Sequence, residues 1–212
     1  TINIEAATTQ SIGTSIVENG VVVANRNYGS DGKLDETSGI LFRNIVDVNG
    51  NLKIGKKYPY EISVKNSGVI DTYVRIILTK SMYNKDGEKA TNLSLDVLDL
   101  HLLNSDDWIV DETATTEYRT VMYYKKILLA GETTTSLTDY IRIDDSILWK
   151  AEEKNITEKN GYATIMMDYT YDGISFAIDI EADAVQTHNA EDAIRSAWGR
   201  DVTIDSNGNI EL

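Results

Sequence analysis

Cysteine is missing from all 212 residues, which removes disulfides, thiolate nucleophiles and cysteine metal sites. Redox chemistry therefore says nothing about the compartment. Histidine is nearly missing too: His101 and His188 are the only two, and neither sits in a His-Glu-x-x-His pattern, which would supply paired metal ligands and a general base. Proline occurs once, at Pro59, and no Pro-rich or Ser-rich stretch interrupts the chain, so no internal linker is expected. Basic charge is short. The 20 Lys and Arg face 34 Asp and Glu, a net charge of -14 that repels phosphate backbones and anionic headgroups, so nucleic acid is not an expected partner. No apolar run is long enough to cross a bilayer, and no membrane insertion is expected. Gly-x-Ser-x-Gly elbows, phosphate loops and dinucleotide fingerprints do not occur. A carboxylate-only site stays open, because a glycosidase needs two carboxylates and leaves no local motif.

What is present reads as strands. In residues 57–80, Tyr58, Tyr60, Ile62 and Val64 fall on one face while Glu61, Ser63 and Lys65 fall on the other, the alternation of a half-buried strand. Tyr73 to Leu78 follows as a second strand, rich in β-branched residues. Between them Asn66-Ser67-Gly68 supplies the chemistry of a tight reversal or of a crossing between sheets. Twelve tyrosines beside two phenylalanines point to aromatics with one edge in water.

Further along, residues 21–24 and 40–48 have strand character, with a turn-rich stretch at 25–33 and a tight-turn signal at Asn49-Gly50-Asn51. Residues 92–100 read as a short helix capped by Asn92 that leads into a strand. Residues 121–129 predict another strand, 137–143 a short strand or loop, and 151–159 a charged surface stretch. Residues 162–171 and 175–184 flank Asp172-Gly173 and predict a hairpin at the centre of a sheet. Asn189 as N-cap, Glu191 and Asp192 in the first turn and Gly199 as the stop make 189–199 the clearest helix. A closing strand or small hairpin follows around Asn207-Gly208-Asn209.

Candidate chemistry is sparse. Asn84-Lys85-Asp86-Gly87-Glu88 lacks the spacing of a calcium loop and reads as a solvated turn. Asp106, Asp107, Asp111 and Glu112 surround Trp108-Ile109-Val110 and read as charge at strand ends. His188 with carboxylates such as Glu191 or Asp192 is an arithmetic combination for a metal, against a helix-start histidine bonded to backbone or exposed. Residues 1–15 are polar and threonine-rich, with Ile2, Ile4 and Ile12 as apolar anchors. They read as a first strand, a frayed terminus, or a strand donated to a neighbouring subunit. Residues 16–212 read as a single β-domain.

Gly55-Lys56-Lys57 leading into a strand, EISVKNSG followed by IDTYVRIIL, and the late YTYDGISFAIDIEADAVQTHN resemble the TasA/camelysin (CalY) family of exported Gram-positive surface and biofilm-matrix proteins. The resemblance implies a mainly β, jelly-roll-like antiparallel sandwich with a few short helices, secreted to the extracellular matrix or cell surface. A start at Thr1 rather than Met fits a removed signal peptide or tag. The resemblance also implies a structural subunit with no catalytic residue, metal or cofactor. Its partners would be copies of itself in a head-to-tail filament, with an accessory anchoring protein of the matrix. The donor would be residues 1–12, with Ile2, Ile4 and Ile12 at the subunit interface. The same resemblance carries a rival, a camelysin-like surface metallopeptidase, and the Tyr-rich sandwich surface leaves a third reading, a monomeric adhesin.

Overall fold

The structure, a computed structural model, describes residues 12–28, 34–37, 53, 55–84, 86–89, 95–103, 105–144, 151–159, 162–169 and 174–212. It is a mainly β sandwich built on antiparallel pairing, with one short α-helix among the described residues. One sheet contains β1 (Gly13–Glu18), β2 (Val21–Tyr28), β3 (Leu34–Thr37) and β5 (Ile62–Asn66), in the order β3-β2-β1-β5. A smaller sheet orders β4 (Tyr58–Pro59), β10 (Thr138–Ile143) and β7 (Leu98–Leu102) as β4-β10-β7. The largest sheet contains β6 (Thr72–Tyr83), β8 (Trp108–Val110), β9 (Arg119–Tyr124), β11 (Ala151–Lys159), β12 (Tyr162–Tyr169) and β13 (Ile174–Gln186). Its order is β11-β12-β13-β6-β9-β8. The chain ends in α1 (Ala190–Trp198) and the small hairpin of β14 (Thr203–Ile204) and β15 (Ile210–Glu211). No helix among the described residues is long and apolar enough to cross a membrane.

β6 and β13 form the spine because their alternation is complementary. They pair without a register break from Thr72↔Gln186 to Tyr83↔Ser175. Val74, Ile76, Leu78 and Met82 point to the inner face, where Ile62, Val64, Leu98, Ile141, Ile178 and Ile180 join them in the main core. Tyr73 and Ile77 point to the outer face, where α1 covers them with Ala190, Ala193 and Ile194. A strand buried on both faces reads as the near-continuous apolar run that β6 presents.

Asn66-Ser67-Gly68 proves to be a crossing: β5 lies in the four-stranded sheet and β6 in the six-stranded one. The sandwich is thus stitched together within the stretch 57–80. The 189–199 helix is present as α1, but Asn189 sits in the left-handed region at φ 49 and makes no side-chain capping bond. Gly199 ends it in a left-handed conformation, φ 66, with its N–H donating to Arg195 O. The expected short helix near Asn92 is a 3-10 turn at Leu95–Val97 that feeds β7.

Three features go beyond or against the sequence reading. The charged surface stretch at 151–159 forms an edge strand; charge on an edge strand discourages stray pairing and erases its hydrophobic alternation. The strand expected over 121–129 stops at Tyr124, beyond which an isolated bridge of Thr72 with Leu128 continues the contact. Asn19-Gly20, with φ 47 and 82, turns the β1–β2 hairpin, an Asn-Gly signal the sequence carried openly. The strand at 40–48 and the turns at Asn49-Gly50-Asn51 and Asp172-Gly173 lie outside the described residues.

Candidate functional site

Ile2 and Ile4 lie outside the described residues, and Ile12 is 1% exposed within this chain's own main core. The boundary drawn at residue 15 falls inside β1, whose six residues are all buried. β1 is held on both sides, by β2 through Gly13↔Asn27 to Glu18↔Val21 and by β5 through Thr14↔Asn66 to Glu18↔Ile62. The chain preceding Ile12 therefore starts from the middle of a sheet, not from its rim.

The far side of β5 is closed by an irregular segment. Thr134 N donates to Val64 O at 2.8 Å and Leu137 N to Ile62 O at 2.9 Å, while Ile62 N and Val64 N donate to the hydroxyls of Thr138 and Thr134. Side-chain oxygens here replace a neighbouring strand, so this edge is satisfied without offering a template. Among the described residues other edges are paired on one side only: β3 in the four-stranded sheet, and β11 and β8 in the six-stranded sheet. Of these β11 is the longest, at nine residues, and its inner side pairs with β12 from Ala151↔Tyr169 to Lys159↔Tyr162.

The metal candidates share one end of α1. Glu191 and Asp192 line a surface cavity of about 320 Å³ with Tyr73, Asn189 and Ile204. Their polar atoms are engaged separately. Glu191 Oε1 accepts the Ile204 N–H at 3.0 Å, and Asp192 Oδ1 lies 3.5 Å from Arg195 Nη1. His188 Nε2 lies 3.4 Å from Asn189 Nδ2. Tyr73 donates its hydroxyl to Gly208 O at 2.7 Å, and burial, then the charge of Asp205, raises its pKa. Among the described residues no three His, Cys, Asp or Glu side chains come together to hold a metal ion.

The acidic group around Trp108 is divided rather than convergent. Asp107 bonds Lys126 at 2.7 Å and Thr135 at 2.9 Å, and the lysine's hydrogen bond, foremost, holds its carboxyl below the usual range. Asp111, 1% exposed, instead accepts from Thr113 and from Arg200 Nε at 3.1 Å. His101 meets Asp139 at 2.6 Å on an exposed surface and stacks on Tyr140.

Two buried polar pairs had escaped the sequence reading. Arg75 Nη2 meets Asp183 Oδ2 at 2.6 Å on opposed rungs of β6 and β13. Tyr60, fully buried, donates to Glu18 Oε2 at 2.6 Å, and burial foremost, then the Glu18 charge, lifts the tyrosine pKa. For the first pair the available signal was charge within an otherwise apolar strand, Arg75 in TYVRIIL and Asp183 in ADAV.

What distinguishes the molecule is thus its arrangement of strand edges. Compared with family models, with curated proteins and with solved structures, the chain gives no match.

Proposed function

We propose that this chain is the repeating subunit of an extracellular filament, as the TasA/camelysin resemblance implies, assembled when the residues before β1 of one copy pair along an open sheet edge of the next. The observation that carries the reading is the nine-residue β11 edge, which among the described residues is hydrogen-bonded on one side only, in a six-stranded sheet. An unpaired row of N–H and C=O groups is a template for an added strand. β11 reads AEEKNITEK, with five charged residues, so indiscriminate edge-to-edge pairing is disfavoured and a tethered, polar donor such as TINIEAATTQS is the suited partner. A secreted, self-assembling matrix protein with an anchoring partner follows as the biological setting.

The test is removal of residues 1–11, before the buried Ile12. The truncated chain is expected to stay folded and monomeric by circular dichroism and size-exclusion chromatography, and to form no filaments by negative-stain microscopy. Filaments of normal length from that variant would overturn the reading.

A further inference from the structure

The chain passes into β1 through a constriction. Gly13 has a φ outside the left-handed region, so its need for glycine comes from space rather than from backbone conformation. A Cβ there would overlap Asn27 Oδ1 and stand 2.9 Å from both Gly68 N and Ser67 Oγ. Ser67 closes the ring: its N–H donates to Gly13 O at 3.2 Å, and its hydroxyl bonds Asn27 Oδ1. Asn27 is the residue of β2 directly opposite Gly13.

The walls of this ring are fixed. Asn66, fully buried, donates from Nδ2 to Ile70 O at 2.8 Å and Leu128 O at 3.0 Å, and its Oδ1 accepts the Gly68 N–H at 3.0 Å. One side chain therefore ties the 67–71 crossing to the 128–132 segment, where Gly131 N also donates to Asn66 O. A backbone nitrogen held in this way cannot yield as a flexible side chain could. The strand inside the ring is equally anchored, with Ile12 at 1%, Thr14 at 2% and Ser15 at 2% exposure.

We propose that Gly13, Asn27, Ser67 and Gly68 form a collar that fixes where and in which direction the preceding residues leave the sandwich, making them positioning residues for assembly. The proposal rests on the filament reading: a donor leaving from a set point has less orientational freedom to lose on docking into the next copy. The donor would then set the rotation between successive subunits.

The experiment is Gly13→Ala in the full chain, read by amide hydrogen exchange of the monomer and by light scattering during filament growth. Expected are at least tenfold faster exchange at residues 13–15 and 67–68 with β6 unchanged, and at least tenfold slower growth. Ser67→Ala, which opens the ring without adding bulk, supplies the same direction with a smaller effect should Gly13→Ala fail to fold. Unchanged exchange in both variants would overturn the collar. Faster exchange with wild-type growth would overturn its role in assembly. If the unmodified chain forms no filaments, the filament reading fails and the positioning role falls with it, while the exchange result still decides whether the ring is rigid.

Discussion

Against the inner face of β6 and β13, Val74, Ile76, Leu78, Ile178, Ile180 and Ala184 meet the other two main sheets in one large, mostly apolar cluster. Against the outer face, Tyr73, Ile77, Val121, Tyr123 and Val185 are covered by the nine-residue α1 with Val202 and Ile210 of the closing segment. The outer cover is small, and charge runs through it. Arg75 and Asp183 pair beneath it, the Arg75 guanidinium lies 5.0 Å from the Trp198 ring, and Arg200 reaches back to the buried Asp111. A short helix supplies little apolar area, and it is marginal without tertiary contacts. The ion pairs and the cation–π contact give the cover one docking position that apolar contact alone would leave under-determined. Area holds the inner face, and directional contacts place the outer one.

The sharpest way to break that contrast is Asp183→Ala. It leaves Arg75 buried without its carboxylate, and a loss of about 3–5 kcal/mol is expected in urea unfolding. Replacing both partners, Arg75→Met with Asp183→Leu, is expected to recover most of this, because an apolar pair has no charge to desolvate. Should the double variant remain as unstable as the single one, the pair does more than direct packing.

Truncations compare the faces themselves. Ile76 and Ile194 are both fully buried, one in each cluster. Each change to alanine falls within about 2–5 kcal/mol, with Ile76→Ala in the upper half of that range and Ile194→Ala in the lower. The difference arises because α1 can settle toward its gap, whereas Ile76 sits in a sheet fixed by strands on both sides. Equal losses would mean that the outer cover is packed as rigidly as the inner core.

This contrast also marks where the sequence could be read. The strands of the inner face announce themselves by alternation: residues 57–80 and 162–184 gave the sandwich and the central hairpin, and Gly199 gave the end of α1. The outer face did not, since Arg75 and Asp183 become partners through pairing across 108 positions of chain, a separation that local pattern does not encode. The collar at Gly13 was hidden for the same reason. Its glycine looks like any turn residue until Asn27 and Ser67 arrive from two other segments. At β11 the polar composition that suits an open edge also concealed the strand.

The smallest effect separates buried charge from surface charge. Asp107 is held below the usual carboxylate range, first by its hydrogen bond to Lys126, whose side chain is 55% exposed. A carboxyl with a lower pKa folded than unfolded binds fewer protons in the native state. Its contribution is therefore complete above about pH 4, the unfolded value, and disappears as pH falls through the folded value. Asp107→Asn should flatten that part of the acid-unfolding curve, and added salt should have the same effect on the parent chain, because an exposed pair is screened. The Arg75–Asp183 pair, beneath α1, should keep its contribution at the same salt concentration. Salt that weakened the Arg75–Asp183 coupling, measured by a double-mutant cycle, as much as it weakened Asp107–Lys126 would show that solvent reaches under α1, and the outer cover would then be a loosely seated lid rather than a second core.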